Sequence, residues 1–353
     1  MVAPIKNFLS VPKTMFGVGA ISQLNELLDE RRAGSGHIVF FVDHYFKDLE
    51  KYNIRVDSGD LFFQVDTSEE PKTVVIDEYT KKIKDSGDLP CAVVAFGGGS
   101  VLDVGKAVSI MLTNDGSSSD YQGWDLPKNK PVYKVGIPTV SGTGAEVSRT
   151  CVLMGPEKKQ GINSNFSLYD QIVLDPNLLE TVPTEQAFYT AMDCYIHSVE
   201  SLCGCYLNDF SKAYAEKALD LTRKRFLGDG THGDMMIASM FGGNSIVYSE
   251  VGVCHAMSYG LSYAFGIHHG EGNVIAFDYL DQYYPDYMEE FREMVKKHNI
   301  TIRRGLCADL SEEMLEKMID ITLLMEKPLE NALGTDWRNI FTRDVIKELY
   351  LRM

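Results

Sequence analysis

The sequence predicts a chain of two unlike halves, an α/β half built on a parallel sheet and then an all-helical half. Three observations predict this. Short β-rich runs alternate with helical patterns as far as residue 176. After Asp175-Pro176 the strand signals stop, and helical periodicity runs nearly to the end. Finally, 353 residues with 44% apolar content are too many for one ordinary core and enough to fill two. The expected domains are 1–176 and 177–353, with a ligand cleft between them.

In the first half, HIVFFVD (37–43), DLFFQV (60–65), CAVVAF (91–96) and YKVGIPTV (133–140) read as buried strands. Helical segments near 20–31, 71–86 and 100–112 alternate with them, which is the pattern of a parallel sheet with helices packed on its faces. In the second half, helices are expected near 184–203, 208–226, 232–250, 253–265, 286–299 and 311–325. No internal repeat or low-complexity tract separates the halves.

Acidic residues outnumber basic ones by 50 to 34, a formal charge of −16. That weighs against nucleic acid or an anionic membrane as the main partner and says little about a small substrate, since local Lys and Arg can still bind an anion. The stretch MVAPIKNFLSVPK has no apolar core of signal-peptide length, and no run approaches the roughly 18 apolar residues of a membrane span. A cytoplasmic protein is expected. Seven cysteines, Cys91, Cys151, Cys194, Cys203, Cys205, Cys254 and Cys307, include no CxxC. They are expected to be buried free thiols, neither a disulfide framework nor a thiolate zinc site.

CAVVAFGGGSVLDVGKAVSIML reads as a strand, a glycine turn and a helix. Gly97, Gly98 and Gly99 remove every Cβ where a backbone must approach a ligand, and the helix from Ser100 offers unpaired N–H groups and a positive dipole end. Such a turn suits a pyrophosphate, although it also serves as a plain strand-to-helix connection. PTVSGTGAE (138–146) places Thr139, Ser141, Gly142, Thr143 and Gly144 at a second turn, before a further expected helix. Asp43 ends the strand HIVFFVD, where a carboxylate can accept from a ribose diol and repel the 2′-phosphate of NADP. Neither turn spells GxGxxG, so the sheet is expected to be Rossmann-like without the ordinary fingerprint.

Asp193 and His197 lie four apart in TEQAFYTAMDCYIHSVESL, a helical segment, so both side chains share one face. GVCHAMSYGLSYAFGIHHGEGN (252–273) adds His255, His268 and His269. On one straight helix His255 and His269 would stand about 21 Å apart, whereas metal–nitrogen bonds are only about 2 Å long. Both reach one ion only if the chain reverses, and Gly266, after the apolar run LSYAF, supplies the turn. Asp193, His197, His255 and His269 then form one carboxylate and three imidazoles, a set that suits Fe(II) or Zn(II) with a position open for substrate. Spacing alone does not choose between His269 and its neighbour His268.

FGVG (16–19), GGGSVLDVGK (97–106), PTVSGTGAEVS (138–148), LDP (174–176), AMDCYIHSVE (191–200), CHAMSYGL (254–261) and HHGEGN (268–273), in this order, resemble the iron-containing (group III) alcohol dehydrogenase family. The resemblance implies a fold shared with glycerol dehydrogenase and dehydroquinate synthase. It implies that Gly97, Gly98, Gly99, Ser100 and Asp103 belong to a nicotinamide-dinucleotide site and that Ser141 and Thr143 lie near the phosphates or nicotinamide, while Asp43 favours NAD. It makes Asp193, His197, His255 and His269 the metal ligands, preferring His269 to His268, which becomes a pocket neighbour. Many members carry another histidine four residues after the position of His255. Here that position is Tyr259, a poor base at neutral pH, so a proton relay through it is in doubt. Members are commonly dimeric or larger, so a homo-oligomer is expected.

The length of the C-terminal half and the ending TDWRNIFTRDVIKELYLRM resemble one branch of the family, the 3-deoxy-D-manno-octulosonate 8-oxidases. The expected reaction is oxidation of a primary alcohol to an aldehyde, with the C8 hydroxyl of that sugar acid as the leading substrate. The metal acts as a Lewis acid on the hydroxyl, and hydride leaves its carbon for nicotinamide C4. An oxidase using dioxygen would need a redox-active metal or a flavin, and nothing in the sequence points to a flavin. A sugar acid also needs a cation for its carboxylate: Arg149, Lys158 and Lys159 are the candidates, and Lys158 is counted with the cofactor-binding residues as well. Three other readings are an NAD-dependent dehydrogenase of another small alcohol or polyol, a dehydroquinate synthase-like lyase, and an inactive binding protein on the same scaffold.

Overall fold

The computed structural model describes residues 8–32, 36–46, 48–156 and 159–353. They divide into two compact units, Leu9–Val182 and Pro183–Met353, with Phe8 counted in the second. The sequence puts the boundary at residue 176; the division falls later because the segment after β9 stays with the first unit. Asp175 accepts from the N–H groups of Gly19 and Ile21 at 3.0 and 3.1 Å, and Leu178 packs into the first unit's core.

The first unit runs β1 (Lys13–Phe16), α1 (Leu24–Arg32), β2 (Ile38–Asp43), β3 (Leu61–Val65), α2 (Thr73–Asp85), β4 (Ala92–Gly97), α3 (Gly99–Met111), β5 (Gly123–Trp124), β6 (Lys134–Pro138), β7 (Thr150–Met154), β8 (Lys159–Asn163) and β9 (Gln171–Leu174). Six strands form one parallel sheet in the order β1-β9-β6-β4-β2-β3. The central strands β4 and β6 are buried along their whole length, which is why their sequences are nearly unbroken apolar runs. Phe40, Val42, Val94, Phe96, Val135 and Ile137 fill one core beneath α1.

From β2 the chain steps to β3 on one side, then returns through α2 to β4 on the other, so the sheet's topological switch point lies between β2 and β4. Val42 pairs with Phe96, which sets Asp43 and Gly97 side by side at the strands' carboxyl ends. Open α/β sheets bind ligands at such a crevice.

Three features depart from the sequence expectation. The helix expected after PTVSGTGAE is a single turn, with Val147 and Ser148 N–H groups donating to Gly144 O at 3.0 and 2.9 Å. The β-branched residues Thr150 and Val152 then favour extended backbone, and the segment forms β7. A second, three-stranded sheet, β5-β8-β7, pairs β7 with β8 antiparallel, and the edge strand β1 adds to the main sheet; these strands are short or polar and carried no clear periodicity.

The second unit is helical among its described residues: α4 (Thr184–Cys203), α5 (Asp209–Leu227), α6 (His232–Ser249), α7 (Val253–Phe265), α8 (His269–Phe277), α9 (Pro285–Lys297), α10 (Glu312–Leu323), α11 (Glu326–Leu333), α12 (Trp337–Ile340) and α13 (Arg343–Arg352). One apolar core runs through it, from Met192, Tyr195 and Ile196 of α4 to Trp337, Phe341 and Tyr350 of the tail. The tail is structural: Tyr350 donates to Met257 O at 2.8 Å and lies 2.7 Å from Thr322 Oγ1, joining α13 to α7 and α10. Among the described residues no helix is long and apolar enough to cross a membrane.

Candidate functional site

Helix α4 carries Asp193, His197 and Glu200 at i, i+4 and i+7, on one face. All three are buried. His255 sits in the first turn of α7. Gly266 closes that helix at φ 63°, ψ 21°, a left-handed conformation that glycine adopts without Cβ strain, and its N–H donates to Ser262 O at 2.9 Å. The chain thereby reverses, and His269 opens α8.

These elements bring three imidazole nitrogens around one carboxylate oxygen. From Asp193 Oδ1, the Nε2 of His255 is 3.2 Å away, that of His197 3.4 Å and that of His269 3.8 Å. Ligands about 2.1 Å from one ion at tetrahedral angles stand about 3.4 Å apart, so the three separations from Asp193 Oδ1 are of the size found in a coordination shell. Asp193, His197 and His255 alone form a buried group able to hold a metal.

The donor set fits a divalent cation on two further grounds. Asp193 Oδ2 is buried without a hydrogen-bond partner among the described residues, a costly state unless something else satisfies it. Two of the side chains, Asp193 and His197, are also in ligand-competent protonation states. Burial opposes charge on Asp193, yet His197, His269 and His255 hold its carboxyl well below the usual range. Burial pushes His197 down to about 4, leaving a neutral imidazole. His255 is different: burial opposes its charge, but Glu200 and Asp193 raise it to about 9, so a metal entering there displaces a proton.

His268, the N-cap residue of α8, is exposed and lies outside the group that converges on Asp193. Tyr259, one turn beyond His255, meets the His269 ring edge-on at 5.9 Å. Two residues of the site were not singled out by the sequence. Asn273 is fully buried, its amide nitrogen 2.7 Å from Asp193 Oδ1 and 3.2 Å from the Nε2 of both His255 and His269. Glu200 lies 2.5 Å from His255 Nδ1. The signal for both was spacing: Glu200 continues the Asp193/His197 face, and Asn273 follows His269 by four.

In the first unit, the glycine turn stands where β4 meets α3. A Cβ on Gly97 would come within 2.6 Å of Val101 and 3.0 Å of the Asp43 Cβ, whereas one on Gly99 would meet Thr143 only at 3.4 Å. Thr139 donates its N–H to Gly97 O at 3.0 Å, Ser141 is buried, and Thr143 Oγ1 accepts from Ala145 N–H at 3.2 Å. Asp43, Gly97, Gly98, Gly99, Ser100, Thr139, Ser141 and Thr143 thus gather at one sheet edge. Asp103 points elsewhere, accepting from Val152 N–H at 2.9 Å and pairing with Lys106 at 3.7 Å, which ties α3 to β7.

Of the three cations proposed for a substrate carboxylate, Lys158 lies outside the described residues. Arg149 is paired with Asp125 at 2.5 Å and Lys159 with Glu70 at 2.7 Å. No disulfide joins the cysteines among the described residues, but they are not uniformly buried: Cys203 and Cys205 are exposed and Cys91 is half-buried, because the first two flank Gly204 where α4 ends at the surface.

The parallel α/β unit with its glycine turn and the helical unit with its carboxylate and three imidazoles match the two domains of a class of oxidoreductases that act on CH–OH groups. The chain belongs to the iron-containing alcohol dehydrogenase family: residues 12–176 match the model of the iron-containing alcohol dehydrogenase domain and 187–331 that of the family's C-terminal domain. It is 28% identical to long-chain-alcohol dehydrogenase 1 of Geobacillus thermodenitrificans, over 77% of this chain and 72% of that one. It is likewise 28% identical to 4-hydroxybutyrate dehydrogenase of Clostridium kluyveri, over 86% and 83%. Its fold matches sulfoacetaldehyde reductase from Bifidobacterium kashiwanohense, solved in complex with NAD+, at a TM-score of 0.82 and 22% identity, covering 99% of this chain and 98% of the other.

Proposed function

We propose that this protein is a metal-dependent dehydrogenase that interconverts a primary alcohol and its aldehyde, with NAD as the hydride partner. The convergence of three imidazole nitrogens within 3.2–3.8 Å of Asp193 Oδ1 carries the reading. Asp193, His197, His255 and His269 would hold Fe(II) or Zn(II), and the ion would supply Lewis acidity to a substrate hydroxyl. The chain's own part is to keep the His197 imidazole neutral, seal three of the four ligands from water and fix their geometry before substrate arrives. At the sheet edge, the amides of the glycine turn would take the pyrophosphate and Asp43 the adenosine ribose, which disfavours NADP. A cytoplasmic homo-oligomer belongs to the same proposal, supported by free cysteines and the family's habit.

For the substrate, the resemblance of the segment TDWRNIFTRDVIKELYLRM to the 3-deoxy-D-manno-octulosonate 8-oxidases favours the C8 hydroxyl of that sugar acid. A second reading, another small alcohol or polyol, is favoured by two observations. The similar proteins are named for a long-chain alcohol, 4-hydroxybutyrate and sulfoacetaldehyde, none of them a sugar acid, and Arg149 and Lys159 are already engaged with carboxylates. The deciding experiment incubates metal-analysed protein with the sugar acid and with simple alcohols, under NAD, NADP or oxygen alone, and traps the aldehyde. Aldehyde from the sugar acid only would support the narrower substrate; turnover of simple alcohols only would remove it; no NADH and no aldehyde from any would sink the dehydrogenase reading.

A further inference from the structure

We infer that Glu200 is a positioning residue of the metal centre: it holds His255 by Nδ1 so that Nε2 faces Asp193, and it supplies the second of two buried negative charges that a divalent ion balances. This rests on the reading of Asp193, His197, His255 and His269 as ligands.

The argument begins on α4. Asp193 is wholly inaccessible and Glu200 is 1% exposed, an expensive arrangement for two carboxylates on one helix face unless each is compensated. Glu200 is fully engaged. Its Oε2 lies 2.5 Å from His255 Nδ1, and its Oε1 accepts from Cys254 N–H at 2.7 Å and from the Tyr284 hydroxyl at 3.0 Å. Both oxygens of Glu200 are thus already hydrogen-bonded. The residue acts through the imidazole, because a proton shared between Nδ1 and a carboxylate leaves the Nε2 lone pair for the metal.

The surroundings are shaped to this contact. Gly252 leaves the space the carboxylate occupies: a Cβ there would come within 2.7 Å of the Tyr284 oxygen and 3.0 Å of Glu200 Oε1. Tyr284 is in turn held by stacking on Phe277 at 5.4 Å. His197 offers the contrast, since its Nδ1 has no hydrogen-bond partner among the described residues. Charge completes the case. Asp193 and Glu200 contribute two negative charges and three neutral imidazoles none, so a divalent ion brings the buried cluster to neutrality.

The test uses the full chain, stripped of metal with a chelator and titrated with Zn(II) and Co(II) against a competing chelator, with the visible spectrum of the Co(II) form as a second readout. Wild type should bind one ion per chain. Glu200→Gln keeps the shape and removes the charge; it should bind about 10- to 100-fold more weakly and change the Co(II) bands. Tyr284→Phe keeps the charge and loses one donor, so its affinity should fall only a few-fold. A merely structural role would lower the unfolding temperature of the metal-free protein without changing the Co(II) spectrum. Glu200→Gln with wild-type affinity and spectrum would overturn the inference, and if that variant does not fold, unchanged affinity in Tyr284→Phe does so. The underlying reading fails separately: wild type would then bind no ion, or His269→Ala would bind as well as wild type.

Discussion

The helical unit and the α/β unit each present a candidate binding site, and the two are built by opposite means. In the helical unit the site is made of side chains: a carboxylate and three imidazoles, drawn from three helices and held by Glu200 and Asn273. In the α/β unit it is made of backbone, and its mark is the lack of side chains at Gly97, Gly98 and Gly99. A cation needs lone pairs at fixed points in a water-poor pocket, whereas a pyrophosphate needs N–H groups that a Cβ would block. The consequence is a difference in fragility. Removing a side chain should ruin the first site, and adding one should ruin the second.

That contrast can be broken most directly at His269. His269→Ala should abolish stoichiometric metal and turnover together, measured by elemental analysis and aldehyde formation; retention of both would take His269 out of the ligand set. The glycine turn should respond to gain of atoms in a graded way. Gly97→Ala forces a Cβ against Val101 and Asp43 and should cost about 1–3 kcal/mol in urea unfolding, while Gly99→Ala should leave stability alone and raise the KM for NAD. Equal behaviour of the two variants would mean that the turn is a packing feature only. Asp43→Gly should shift cofactor choice, weakening NAD by about tenfold, the worth of a hydrogen bond to a charged group, and narrowing the gap to NADP; an unchanged ratio removes Asp43 from the ribose site. The smallest effect is expected at Tyr259. Tyr259→Phe should keep metal content, and loss of metal would show that the phenol is nearer the ion's shell than its edge-on contact with His269 suggests.

Much of this was legible before any coordinates. The strands of HIVFFVD, CAVVAF and YKVGIPTV stand where their apolar runs place them, because strands buried on both faces must be apolar on both. Helix α7 ends at Phe265 as expected, since Gly266 is the residue that a left-handed cap requires. Less was legible where local and tertiary preferences part. The turn after Ser141 does not become a helix, since the run beyond it finds a strand partner in β8. Helix α8 was hidden because HHGEGN is rich in glycine, and its helicity comes from packing against α4 and α7. Glu200 was quoted within a motif yet given no role, for a glutamate three or seven residues along a helix face is ordinarily a solvated one.

By itself the sequence determined the kinds of chemistry present: a glycine turn between strand and helix, an Asp-x3-His pair on one helix face, and two further histidines separated by a chain reversal. These depend on spacing and residue type, which local geometry converts into shared faces and turns. Only the tertiary structure decided which groups meet. It chose His269 over His268 for the cluster, set Asp43 beside Gly97 through the pairing of β2 with β4, and laid Glu200 against His255 across 55 residues of sequence. Such meetings follow from how sheets order their strands and helices pack, and no local pattern encodes a neighbour that arrives from another element.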